Sequence, residues 1–332
     1  MEKIVVRTER AIHSEVFYDI VYEWEDELCK VFNSKLFYAR NYIYHGTDVA
    51  RSLLYRFHMN IEDLRLLGKT AFAYDMFGHT NKDLIHSCHT AICIIDFYPR
   101  EDMLHAFYQA HKDTPFLFLS NKEVYDFLMD HQPERKIYHL PLSLPDKYRI
   151  NEKTTFKKNY DLVLAGRQNT KLLGWLDLYC KSHKISYIYR KKADLTNNEF
   201  PYYTNEGQFD CNVVTREDYF NLLRQSKIAF YSTPGLEDAK KDITNGFSQV
   251  TPRFLELLSC GCLLLGCYPD NADTRYYHLD DFVINVSSYE QFESTMDKLL
   301  KQEVNIKKYS SYLENHYTSV IAKKLLNIIL PK

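Results

Sequence analysis

Short apolar runs alternate with longer amphipathic stretches along most of this chain. The runs at 3–7, 70–77, 91–97, 115–119 and 137–140 have the length of buried strands, and an aromatic-rich run at 36–44 adds another. Between the first runs, residues 17–32 place Phe17, Ile20, Val21, Trp24, Leu28, Val31 and Phe32 on one helical stripe. The same period predicts helices over 48–67, 81–88, 100–112 and 121–130. Strands alternating with helices predict a parallel sheet covered on both faces.

The rhythm breaks at Leu140–Asn159, LPLSLPDKYRINEKTTFKKN, where prolines give way to a polar, lysine-rich run. This predicts a domain boundary near residue 150. It restarts with a strand at 160–165, a helix at 171–181 and a strand at 185–189. Residues 191–212 are polar and irregular and read as an insertion. A helix over 215–226 carries a capping box, Thr215 with Asp218, and a strand follows at 227–231. The loop 232–250 contains Pro234-Gly235 and Asn245-Gly246, and loops this long in compact domains are more often functional than idle. A strand at 282–286, a helix at 288–300 capped by Ser288 with Gln291, and one amphipathic helix over 309–329 complete the pattern.

Two stretches carry candidate chemistry. In Thr251–Cys267, TPRFLELLSCGCLLLGC, Thr251 suits a helix N-cap and Pro252 the first helical position. Phe254, Leu255, Leu257 and Leu258 form the apolar side, Gly261 the stop, and Cys262–Gly266 a buried strand. Arg253 and Glu256, three apart, share the other face. A structural crossover in any α/β protein could show the same pattern. In the second stretch, the strand 160–165 meets Gly166 and then a helix. That arrangement aims free N–H groups at an anion, and Arg167 and Lys171 add cationic side chains. One glycine falls short of a full dinucleotide fingerprint, and there is no P-loop.

The wording RFLELLSCGCLLL resembles the C-terminal-domain signature of GT-B glycosyltransferases of the group 1, family 4-like type, in which an Arg precedes the Glu by three residues. Gly166-Arg167 followed by Lys171 is similar to the pattern with which those enzymes hold the donor diphosphate. The resemblance implies α/β architecture with two Rossmann-like domains and a cleft between them: an acceptor-side domain over 1–150, a donor domain over 151–308, and a C-terminal helix, 309–332, crossing back to the first domain. It implies a metal-independent, retaining hexosyltransferase. Its donor-binding residues would be Gly166, Arg167, Lys171, Arg253 and Glu256, with Glu256 accepting bonds from ribose or sugar hydroxyls. In one respect the chain departs from the pattern: many retaining members carry a second glutamate where this chain has Ser248. The acceptor base would come from the first domain, with His79 and Asp75 as candidates beside Asp96; His79 follows Gly78 at a predicted strand end, where α/β sites open. Two other readings are a nucleotide-sugar epimerase and a non-catalytic two-lobed binding protein.

Composition narrows the partners. The formal net charge is −2 and neither half is a basic arm, so a general nucleic-acid binder is disfavoured. The expected partners are a nucleotide-sugar donor and a glycan or lipid-linked acceptor, with no nucleic acid and at most peripheral membrane contact. The eight cysteines include no Cys-x-x-Cys pair, there is no Asp-x-Asp, and His86 with His89 alone make a weak metal site. No metal or cofactor is therefore expected. No apolar run approaches the roughly 18 residues of a membrane span, and Met1 leads directly into charged residues and a strand. The expected location is cytoplasmic, peripheral at most to the inner face of the membrane.

Overall fold

A computed structural model describes residues 4–13, 16–39, 61–66, 68–76, 87–190, 200–236 and 242–330. Most of the helix expected at 48–67, nearly all of that at 81–88, and the candidates His79 and His86 lie outside the described residues. The chain divides into two units, Met1–Asp146 with Tyr317–Lys332, and Lys147–His316.

The first unit is built on six strands: β1 (Ile4–Thr8), β2 (Leu36–Tyr38), β3 (Thr70–Asp75), β4 (Thr90–Ile94), β5 (Leu117–Leu119) and β6 (Ile137–His139). They run parallel in the order β2-β1-β3-β4-β5-β6. β1, β4 and β5 are buried throughout, which is why they read as continuous apolar runs rather than alternating ones. Helices α1 (Asp19–Phe32), α2 (Ile61–Leu66), α3 (Leu104–Ala110) and α4 (Lys122–Asp130) join them. Asn33, in the left-handed conformation at φ 48°, stops α1, and Asn121 caps α4 by accepting from the Val124 amide.

The second unit carries seven strands: β7 (Tyr160–Leu164), β8 (Tyr187–Arg190), β9 (Phe200–Thr204), β10 (Phe209–Val213), β11 (Ser226–Ser232), β12 (Leu263–Cys267) and β13 (Val283–Asn285). Their order is β10-β9-β8-β7-β11-β12-β13, parallel except where β9 pairs antiparallel with β8 and β10. The helices are α5 (Thr170–Tyr179), α6 (Arg216–Arg224), α7 (Arg253–Ser259), α8 (Ala272–Tyr276), α9 (Tyr289–Lys301) and α10 (Ile306–Leu313). Leu162, Leu172, Leu176, Ile228, Leu265, Phe292 and Met296 make the core between sheet and helices.

Three expectations are corrected. Residues 191–212 are not wholly irregular, because 200–213 form the hairpin β9–β10 around Asn205-Glu206-Gly207, with Gly207 at φ 85°. Its strands are mostly half-exposed and their register shifts between Phe209 and Cys211, so no clean alternation shows in the sequence. The segment 309–329 is not one helix. α10 ends at Leu313 and α11 (Thr318–Ile329) begins after a break in which the Thr318 amide donates to the Leu144 carbonyl. α11 belongs to the first unit, where Ile321, Ala322, Leu325 and Ile329 join the core formed by Ile4, Val6, Phe72 and Phe118. Thr251 makes no side-chain cap on α7; Pro252 occupies the cap position, and the Thr251 amide donates to the Tyr231 hydroxyl at 3.0 Å.

Candidate functional site

In the second sheet β7 has β8 on one side and β11 on the other, so the connections leave it in opposite directions. Open α/β sheets bind ligands beyond the carboxyl ends of strands at such a reversal. Beyond β7 the chain turns at Gly166, at φ 69°. The positive φ favours glycine there, and a Cβ would lie 2.5 Å from Arg253 Nη1, so any side chain at 166 would have to displace the Arg253 guanidinium.

Arg253 opens α7 and reaches back across this turn. Its Nη1 donates to the carbonyls of Ala165 (3.1 Å) and Arg167 (2.9 Å), and its guanidinium lies 5.8 Å from the Tyr231 ring centroid. Arg253 Nε is buried and has no partner among the described residues. Tyr231 is set by close approach of β11 to β12, since a Cβ on Gly266 would fall 1.6 Å from the Tyr231 carbonyl oxygen. Phe254, Leu255, Leu257 and Leu258 seat α7 in the core, and Gly261, at φ 63°, ends it.

Glu256 lies one turn on and is 4% exposed. It accepts from Arg216 Nη2 at 2.7 Å. The Arg216 guanidinium lies 5.2 Å from the Phe220 ring, 5.8 Å from Tyr219 and 5.9 Å from Tyr148. Arg216 is the first residue of α6, whose start is fixed by the reciprocal box between Thr215 and Asp218. Nothing in the sequence pattern linked Arg216 to Glu256, because their pairing depends on how α6 and α7 pack.

The start of α5 is already capped. Asn169 Oδ1 accepts from the amides of Lys171 (2.9 Å) and Leu172 (3.3 Å), and Gln168 Nε2 donates to the Ala165 carbonyl at 2.7 Å. The N–H groups expected to face an anion are thus partly spent on a side chain, a role that Asn169 before a helix could have revealed. Arg167 and Lys171 are exposed and form no ion pair among the described residues. Lys171 Nζ sits 5.9 Å from the Trp175 ring. Tyr202, on the hairpin missed above, is 2% exposed and lies within reach of the Gly166 backbone. Burial pushes the phenol of Tyr202 up, that of Tyr219 well up and that of Tyr231 to about 12, so all three stay neutral at physiological pH. Ser248 is buried and bonded to Thr233 Oγ1 (2.6 Å) and the Pro234 carbonyl (2.7 Å), so it ties the chain before α7 back to the end of β11.

Of the first-unit candidates, Asp75 ends β3 and is 6% exposed, and the Asp96 amide donates to the Met76 carbonyl. A buried carboxyl that the sequence did not flag lies near the end of β1. Glu25 bonds Arg10 Nε at 3.2 Å, and burial raises its pKa to about 7.

No protein-family profile and no curated protein matches this sequence. Solved structures do match. A putative UDP-N-acetylglucosamine 2-epimerase from Listeria monocytogenes superposes with a TM-score of 0.54 at 10% identity, covering 99% of this chain and 95% of its own. WaaG, a glycosyltransferase involved in lipopolysaccharide biosynthesis, gives 0.52 at 12% identity, covering 99% and 100%. The fold is GT-B. A GtfA/B complex also matches, with a TM-score of 0.49 and 12% identity over 85% of this chain, which spans 59% of that longer chain. Within the GT-B frame, the Gly166 turn, Arg253 and Glu256 all lie in the second unit, near the carboxyl ends of β7 and β11.

Proposed function

We propose that this GT-B chain is a glycosyltransferase that uses a nucleotide-sugar donor, and that the second unit binds the donor. The observation that carries the reading is the Arg253 clamp on the Gly166 turn at the strand-order reversal, with Glu256 one turn further along the same helix. Arg167 and Lys171, exposed and without ion pairs among the described residues, would meet the diphosphate. As the sugar–oxygen bond breaks, negative charge grows on the leaving phosphate, and fixed cations stabilise it most where water is excluded. Glu256 keeps one oxygen beyond its bond to Arg216 and would accept from a ribose or sugar hydroxyl. The first unit would hold a glycan or lipid-linked acceptor, with His79 or Asp75 as the base. On this reading transfer is metal-independent and retaining, and it takes place in the cytoplasm at or near the inner membrane face, in the making of a surface polysaccharide. Among the described residues no helix is long and apolar enough to cross a membrane.

The competing reading is a nucleotide-sugar epimerase, favoured by the putative epimerase among the structural matches. An epimerase converts its substrate with no acceptor present. Thermal-shift titration with UDP, GDP, ADP, CMP and their common sugar conjugates tests the site. A nucleotide that binds only the folded state raises the midpoint by mass action. One nucleoside diphosphate should do so in the wild type and lose at least tenfold in affinity in Arg253→Ala. A flat response to every nucleotide refutes the proposal.

A further inference from the structure

A cavity of about 250 Å³ opens at the amino ends of β11 and β12, the edge of the second sheet opposite to the Gly166 turn. Phe156, Lys158, Lys227, Leu263, Glu303 and Val304 are among its lining residues, Glu303 being exposed. Lys158 Nζ donates to the Cys260 carbonyl and Lys227 Nζ to the Leu300 carbonyl, each at 2.8 Å. An ammonium has three N–H groups, so each lysine keeps two beyond these bonds. Neither lysine forms an ion pair among the described residues, Glu303 included.

Two lysines thus line one partly enclosed space, and Glu303, the carboxylate on its wall, is bonded to neither of them. Burial already works against the charged form of Lys158. Phe156 supplies a flat apolar wall, with Lys158 Nζ 5.0 Å from its centroid. The ring is pressed against Gly261, where a Cβ would lie 2.7 Å from Phe156 Cδ2. At a water's ~30 Å³ share of liquid volume the space equals about eight waters, more than a bare inorganic anion needs.

We propose that this cavity binds a small organic phosphate whose body rests on Phe156 while its phosphate meets Lys158 and Lys227. A phosphate monoester carries about −1.5 to −2 charge at neutral pH, which matches two ammonium groups better than a single carboxylate does. The site is separate from that at Gly166 and does not depend on the function proposed above.

Calorimetric titration of the full chain with phenyl phosphate, benzoate and inorganic phosphate tests it. Phenyl phosphate should bind at least tenfold more tightly than the other two. Lys227→Met and Phe156→Ala should each weaken it tenfold or more, while Arg253→Ala leaves it unchanged. Lys158 holds a helix-end carbonyl, so its replacement risks the fold. A measurement without variants covers it: phenyl phosphate should protect Lys158 and Lys227 from acetylation by acetic anhydride, read by mass spectrometry. Three results overturn the proposal: no binding or protection; binding that survives Lys227→Met but is lost in Arg253→Ala, which places the phosphate at the Gly166 turn; or equal affinity for benzoate. If the lysines act only as helix caps, the substitutions lower stability and no ligand heat is seen.

Discussion

Replacing Arg216 by Met removes one partner of a nearly buried ion pair and leaves the other in place. The two side chains are 15% and 5% exposed and meet at 2.7 Å. Breaking such a pair from one side costs about 3–5 kcal/mol, because the remaining carboxylate is stranded away from water. Loss of the guanidinium's contacts with Phe220, Tyr219 and Tyr148 adds a smaller cost, ~0.5–1 kcal/mol for each contact that is truly engaged. Hydrogen exchange on peptides spanning α7 reads the effect in the intact chain. Protection there should fall by roughly two to three and a half powers of ten, since 1.4 kcal/mol is a factor of ten. The double variant Arg216→Met/Glu256→Gln removes the stranded charge and should recover most of the loss. A fall of less than about tenfold in the single variant, or no recovery in the double, would refute a buried pair.

Other outcomes follow from particular contacts. Asn169→Ala removes the cap on α5 and should cost about 1 kcal/mol in urea unfolding, while nucleotide affinity holds or rises because two backbone N–H groups become free. Gly266→Ala drives a methyl into the Tyr231 carbonyl and should cost more stability than the ~1–3 kcal/mol of ordinary overpacking, read in urea unfolding. Glu25 has a folded pKa of about 7, above its ordinary value of 4.5, so the native first unit binds a proton that the unfolded chain releases between those limits. Stability should therefore fall as pH rises from 4.5 to 7, by up to ~1.4 kcal/mol per pH unit. Glu25→Gln should flatten that slope in urea midpoints taken across the range.

The parallel-sheet core was legible because buried strands announce themselves: AICI and the LLLG of Cys262–Gly266 are apolar throughout, and the structure buries them within β4 and β12. The Thr215 box was legible because capping is local, set by residues three apart. What escaped depends on distance in sequence. Arg216 meets Glu256 forty residues away, and Tyr202 reaches the Gly166 turn from a half-exposed hairpin with a register shift. Arg253 was picked out by wording, but its bond to the Ala165 carbonyl spans 88 residues, and no periodicity encodes that. Glu25 sits beside the apolar stripe of α1 among charged neighbours, and only the packed first unit shows that it is buried.

The first unit is discontinuous: its core is completed by Ile321, Ala322, Leu325 and Ile329, which are made only after the whole of the second unit. On a ribosome adding ~5–20 residues per second, the stretch Lys147–His316 takes roughly ten to thirty seconds to emerge. Throughout that interval the apolar face around Val6, Phe72 and Leu28 lacks the four residues of α11 that complete its cluster, and at the end of it the second unit has every residue it needs while the first still does not. Synthesis order is therefore inverted with respect to folding order. The half made first closes last, and the nascent chain carries an uncovered apolar face for which a holding chaperone would compete with α11.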